Sequence, residues 1–158
     1  MERKYKVITL CGSTKFKDTF MEIQKKLTLE GNIVIGPGLF GHSGDANEET
    51  LTKNKEMLAD MHKRKIDMAD EIYVIDEDGY IGEDTKSEIE YAQQNEKKVH
   101  YLVHPLIGKT VRFKIEDTLH KVAKVIVFDE DTFGYGDFAV ITEDGEYLYE
   151  CEIEILTV

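Results

Sequence analysis

Glu88, His62, Tyr80 and the run Gly12-Ser13-Thr14 are the residues whose types and settings offer chemistry beyond packing. In Thr85-Lys86-Ser87-Glu88 a threonine precedes a glutamate by three positions, the spacing of an N-terminal capping box. Glu88 then has two readings. It closes the cap, or it is a carboxylate on a first helical turn, kept ionised by the helix dipole and turned into a cleft. The second is what attack on an anomeric carbon requires. His62 follows Met61 and stands four positions after Leu58, on the border of a helix's apolar face. It is a packing histidine, or one that protonates or hydrogen-bonds a leaving base. Tyr80, beside Gly79, stacks on a base or is an ordinary loop tyrosine. Gly12-Ser13-Thr14 leads from a strand into a helix. Glycine permits close backbone approach, the hydroxyls cap or donate, and a helix start offers free N–H groups to an anion. Lys15 and Lys17 add positive charge there, although plain capping accounts for the same residues.

The elements that must position these groups are legible as alternating apolar runs and helical spacings. Lys6 to Cys11 reads as a strand; Phe16, Phe20, Ile23 and Leu27 then mark an amphipathic helix. Ile33-Val34-Ile35 is a second strand, stopped by Gly36-Pro37-Gly38, and residues 41–50 read as a loop. A second helix from about Thr52 carries Met57, Met61 and Met68 on its expected apolar face, with Leu58 beside them. Ile72 to Ile75 form a third strand, Thr85 to Glu96 a third helix, and Val99 to Val103 a fourth strand. This alternation predicts an α/β fold: an open parallel sheet of about four strands with flanking helices and right-handed crossovers, Rossmann- or flavodoxin-like. The glycine-rich loops, including the segment from Asp76 to Asp84, all follow strands and so share one sheet edge, where ligands bind in such folds. With a strand order of 2-1-3-4, the first and third loops flank the point where the topology reverses.

Beyond Pro105 the period changes to two. Val111, Phe113 and Ile115 alternate with polar residues, as do Tyr147, Tyr149, Cys151, Ile153 and Ile155. Val122 to Phe128 and Phe138 to Ile141 add strand-like runs, with turn signals at Gly134-Tyr135-Gly136 and Asp144-Gly145. The expected organisation is an α/β domain over 1–104 and a small antiparallel β unit over 105–158, a half-open barrel of three to five strands packed on the first domain.

A chain of 158 residues with 41% hydrophobic content can bury a core without disulfides or metals. The two cysteines, Cys11 and Cys151, encode no disulfide framework, and the five histidines show no metal-ligand spacing, so no metal is expected. No apolar stretch reaches membrane-spanning length and the N-terminus lacks a signal-like apolar region, which predicts a cytoplasmic protein with no membrane partner. A net charge of −12 opposes binding to nucleic acid.

Leu10-Cys11-Gly12-Ser13-Thr14, Ala69-Asp70-Glu71-Ile72-Tyr73-Val74-Ile75 and Glu88-Ile89-Glu90-Tyr91-Ala92 together resemble the nucleoside 2-deoxyribosyltransferase superfamily, which includes deoxynucleoside 5′-monophosphate N-glycosidases. The resemblance implies that Glu88 is the nucleophile forming a glycosyl-enzyme intermediate, resolved by an acceptor base or by water, with no cofactor. It implies that Cys11, Gly12, Ser13 and Thr14 bind near the sugar 5′ end of a small-molecule nucleoside or nucleotide. Asp76, Tyr80 and Gly82 in the third loop are counted among the substrate contacts. A homo-oligomer is implied as well. The sequence departs from the pattern in three places: Glu90 replaces a glycine, His62 occupies the position of an aspartate near the leaving base, and Gly82 that of an acidic residue. Glu83 or Asp84 is available to supply the last contact. The resemblance ends before the C-terminal β unit. The alternative expectation is a nucleotide-binding protein of the same fold that senses or sequesters its ligand without chemistry.

Overall fold

The computed structural model describes residues 4–128 and 136–156, and the chain divides into two compact units, Met1–Val103 and His104–Val158. In the first unit, four strands form a parallel sheet: β1 (Val7–Gly12), β2 (Ile33–Ile35), β3 (Glu71–Ile75) and β4 (Lys98–Tyr101), in the order β2-β1-β3-β4. They are joined by α1 (Lys17–Leu29), α2 (Glu48–Met68) and α3 (Glu83–Gln94). The chain steps one way from β1 to β2 and then returns past β1 to β3 and β4. With right-handed crossovers, that reversal must put α1 on one face of the sheet and α2 and α3 on the other.

Packing follows this division. Phe20, Ile23 and Leu27 of α1 bury against Ile8 and Leu10, while Ile66 of α2 and Ile89 and Ala92 of α3 pack with Cys11, Ile72 and Val74. Because side chains alternate across a strand, Leu10 and Cys11 serve opposite faces. Cys11 is thereby delivered beneath α2 and α3. Gly12 ends β1 with φ +146°, and a Cβ there would stand 2.8 Å from the Ile75 carbonyl oxygen. Only glycine lets β1 and β3 approach so closely at the reversal point.

Two expectations for the helices are corrected. Met57, Met61 and Met68 face outward, at 52%, 43% and 63% exposure, and the stripe turned to the sheet runs through Leu58, His62, Lys65, Ile66 and Ala69. Both stripes satisfy helical spacing, and the branched Ile66 fills the interior. In α3, Gly82 is the N-cap, so the helix begins before Thr85 and no capping box joins Thr85 to Glu88. The acidic pair Glu83 and Asp84 occupies the first turn, where the helix dipole favours it.

The second unit is a five-stranded antiparallel sheet, β8-β7-β6-β5-β9, formed by β5 (Thr110–Phe113), β6 (Thr118–Val127), β7 (Phe138–Thr142), β8 (Tyr147–Tyr149) and β9 (Ile153–Ile155). Val111, Val122, Val140, Leu148 and Ile153 form its core. The alternating run 147–155 is two strands at opposite sheet edges, separated by a 3-10 turn over Glu150–Glu152. Flat strands spaced ~4.8 Å apart would hold those edges ~19 Å apart, beyond what so short a turn bridges. The sheet must therefore curl, helped by a register shift between Val122 and Lys124. Gly145, at φ +94°, makes the β7–β8 hairpin, whereas positions 134 and 135 of the other turn signal lie outside the described residues. Among the described residues, no helix is long and apolar enough to cross a membrane.

Candidate active site

At the reversal point three side chains from three elements converge. Cys11, the penultimate residue of β1, is fully buried, and its Sγ lies 3.3 Å from His62 Nε2. His62 projects from the inner stripe of α2, and its Nε2 is 3.7 Å from Glu88 Oε2 in the second turn of α3. The Cys11 Sγ and the Glu88 carboxylate lie within 4.8 Å of each other. The His62 and Glu88 side chains retain 11% and 18% exposure, so the trio opens to solvent on the Glu88 side.

Burial sets the protonation of all three. It pushes the Glu88 carboxyl up to about 7; the neighbouring Cys11 thiol opposes the rise, Asp84 adds to it and Lys63 reduces it. This overturns the expectation of a first-turn carboxylate held ionised by the dipole, because Glu88 lies a full turn further in, where desolvation outweighs the dipole. Burial, with a smaller contribution from Lys65, brings His62 down to about 4. The 3.7 Å approach of His62 to Glu88 is thus no standing ion pair at neutral pH: the imidazole is neutral, and donates to the carboxylate or accepts from the thiol according to its tautomer. Desolvation, reinforced by Glu88, raises the Cys11 thiol well above its usual range, so it serves as a donor and not as a thiolate.

The remaining sequence-predicted residues are held elsewhere. Asp76 is 1% exposed, and its Oδ1 accepts from the Val103 N–H at 2.9 Å, tying the end of β3 to the chain leaving β4. Gly82 caps α3 under the Tyr80 hydroxyl. Ser13 accepts from the Lys15 N–H at 3.4 Å at the head of a 3-10 turn, Thr14–Phe16, that precedes α1. Thr14 Oγ1 lies 2.7 Å from His42 Nδ1, and the Ser43 hydroxyl donates to the Thr14 carbonyl. The Lys15 ammonium sits 3.5 Å from the centre of the Tyr80 ring, whose edge also meets Phe16. One face of Tyr80 is therefore already covered. A hollow of about 390 Å³ adjoins this cluster, lined by Lys15, Lys17, Ser43 and Glu77 among others. A larger hollow of about 600 Å³ lies along the first turns of α2, lined by that helix alone and remote from Glu88. It has no part in the site.

His42 acquires a role that the sequence did not signal, and Lys15, expected only as positive charge at the turn, also covers the Tyr80 ring. His42 stands 28 positions from Thr14 in a loop, and only the folded chain brings them together. The same holds for the ligating atoms of Cys11, His62 and Glu88, which all lie within 4.8 Å of one another. The expectation of no metal rested on spacing along the chain, which is blind to a cluster drawn from three elements. No protein-family model, curated protein or solved structure matches the chain.

Proposed function

We propose that this protein handles the N-glycosidic bond of a nucleoside or nucleotide, transferring or hydrolysing a 2-deoxyribosyl group with Glu88 as nucleophile and without a cofactor. The observation that carries the reading is the desolvated Glu88 carboxylate held against Cys11, one residue before the Gly12-Ser13-Thr14 turn at the topological reversal. Ionised Glu88 attacks the anomeric carbon as the carbon–nitrogen bond breaks, and that electron pair leaves with the base. A neutral His62 assists as a hydrogen-bond donor to the base or to the carboxylate, not as a strong acid. Burial makes the free carboxylate costly, and forming the glycosyl ester removes its charge, so desolvation favours the intermediate. Water or an acceptor base then resolves it and returns the carboxylate. The turn and the Lys15–Lys17 cluster bind the sugar's 5′ end, and a homo-oligomer belongs to the same reading.

The test is incubation of the chain with each deoxynucleoside and 5′-monophosphate, with and without a free acceptor base, following release or exchange by chromatography. Glu88→Gln is expected to lower turnover by more than about 10²-fold with an unchanged far-ultraviolet spectrum. Full turnover in that variant removes the mechanism. Tight nucleotide binding with no base released over hours supports a sensing or sequestering protein in its place.

A further inference from the structure

We propose that Cys11, His62 and Glu88 form a three-ligand site for a divalent transition ion of the zinc class, and that filling it silences Glu88. The binding claim stands on geometry and donor chemistry; the silencing clause rests on the proposed glycosyl chemistry.

Zinc takes thiolate sulfur at ~2.3 Å and imidazole nitrogen or carboxylate oxygen at ~2.0–2.2 Å in a tetrahedron, which puts neighbouring ligand atoms ~3.4–3.6 Å apart. The Cys11 Sγ to His62 Nε2 distance is 3.3 Å and the His62 Nε2 to Glu88 Oε2 distance is 3.7 Å, on either side of that range. The remaining pair lies within 4.8 Å, inside the reach of a glutamate rotamer change. The three ligands stand on separate regular elements packed into one apolar cluster with Ile72, Val74 and Ile89, so the triangle is largely formed before any ion arrives.

Charge balance supplies the second argument. A doubly charged ion with one thiolate, one carboxylate and one neutral imidazole is a neutral unit, which apolar surroundings tolerate better than any bare charge. Binding replaces the Cys11 S–H bond with a sulfur–metal bond and releases the proton to solvent; no electron changes hands. A sulfur–nitrogen–oxygen donor set selects zinc or cobalt over magnesium or calcium. The partial exposure of Glu88 leaves the fourth position to water, and the carboxylate lone pair that would attack carbon is committed to the metal.

The experiment titrates chelator-treated full-length chain with Co²⁺. The expected result is one ion per chain, with thiolate-to-cobalt charge transfer in the near ultraviolet and the intense visible bands of a four-coordinate site, all bleached by one equivalent of Zn²⁺. Cys151→Ser, which changes the exposed thiol of the other unit, is expected to keep the full spectrum. Cys11→Ser is expected to abolish the charge-transfer band. Should Cys11→Ser fail to fold, His62→Gln carries the test: it is expected to weaken Zn²⁺ binding by more than the roughly 10–100-fold that losing a ligand's hydrogen-bond partner costs. A pale six-coordinate spectrum, a band that survives Cys11→Ser, or unchanged affinity in His62→Gln overturns the site. Base release is assayed on the same metal-free sample and again with one equivalent of Zn²⁺. Metal binding with no base release in either state sinks the glycosyl reading and leaves the site standing. Release without metal binding does the reverse, and release undiminished by bound zinc overturns the silencing.

Discussion

Glu88 and His62 are displaced from their ordinary pKa values in opposite directions, and the signs give two separable consequences. The Glu88 carboxyl rises from 4.5 to about 7 in the folded chain, so the fold favours its neutral form, and that contribution is lost as pH climbs through 7. At about pH 8 the ionised group costs about 3 kcal/mol relative to an uncharged isostere; at about pH 5 it costs under about 1 kcal/mol. His62 falls from 6.5 to about 4, so its stabilising neutrality is present above 6.5 and lost as pH drops toward 4. In chelator-treated protein, Glu88→Gln is expected to raise the urea midpoint at about pH 8 and barely move it at about pH 5. His62→Gln is expected to do the opposite, gaining about 2 kcal/mol at about pH 5 and nothing at about pH 8. Identical pH profiles for the two variants would contradict the burial argument. If ionised Glu88 is the nucleophile, kcat/KM for base release must also rise through pH 7 and level off above it. A profile that falls over this range would assign Glu88 an acid's role.

At the scale of elements, α2 decides where His62 points, and its phase is testable. Ile66 is fully buried against Ile72 and Val74, while Met57 and Met61 are about half exposed. Ile66→Ala is therefore expected to cost about 2–5 kcal/mol, and Met57→Gln or Met61→Gln no more than about 0.5 kcal/mol, by chemical denaturation. A large loss in either methionine variant would contradict the assigned face. The same helix shows what a sequence can and cannot disclose. Strands such as Val7–Gly12 and Glu71–Ile75 announce themselves as apolar runs because both sheet faces are covered, and alternation with helices predicts the parallel sheet, whereas the order β2-β1-β3-β4 is fixed only in the folded chain. Helical phase is less legible: α2 carries one stripe of methionines and another of Leu58, His62 and Ile66, and periodicity cannot rank them. The start of α3 was obscured because Thr85 and Glu88 imitate a cap that Gly82 supplies. Glu88 and His62 stood out by residue type and setting, but their meeting with Cys11 depends on crossovers that no local spacing encodes. Alternation over 147–155 likewise concealed a turn between two strands: apolar residues keep the odd positions throughout, yet the buried position shifts from Leu148 in β8 to Ile153 in β9.

For the molecule as a whole, the two units have separate interiors. The clusters built on Phe20 and on Ile66 draw only on residues up to Leu102, and the cluster built on Val111 only on residues from Leu106 onward. The hydrogen-bond ladders divide in the same way, with the parallel sheet complete by Tyr101. Cys11, His62 and Glu88, and the Lys15–Tyr80–His42 cluster, all belong to residues 1–103. A fragment of residues 1–103 therefore keeps every element that positions the site. It is expected to unfold cooperatively, to bind one Co²⁺ with the same charge-transfer band, and to release base within a few-fold of the full chain's rate. The complementary fragment, residues 104–158, buries seven apolar side chains among its described residues and falls in the size range where stability alone is marginal. It is expected to melt well below the first fragment in a side-by-side thermal scan. Loss of both cobalt binding and base release from a 1–103 fragment with a native far-ultraviolet spectrum would overturn the assignment of the whole site to the parallel-sheet unit. Retention of both would mean that the curled β unit contributes neither a ligand nor a catalytic group, since the sheet reversal and its three converging side chains then suffice.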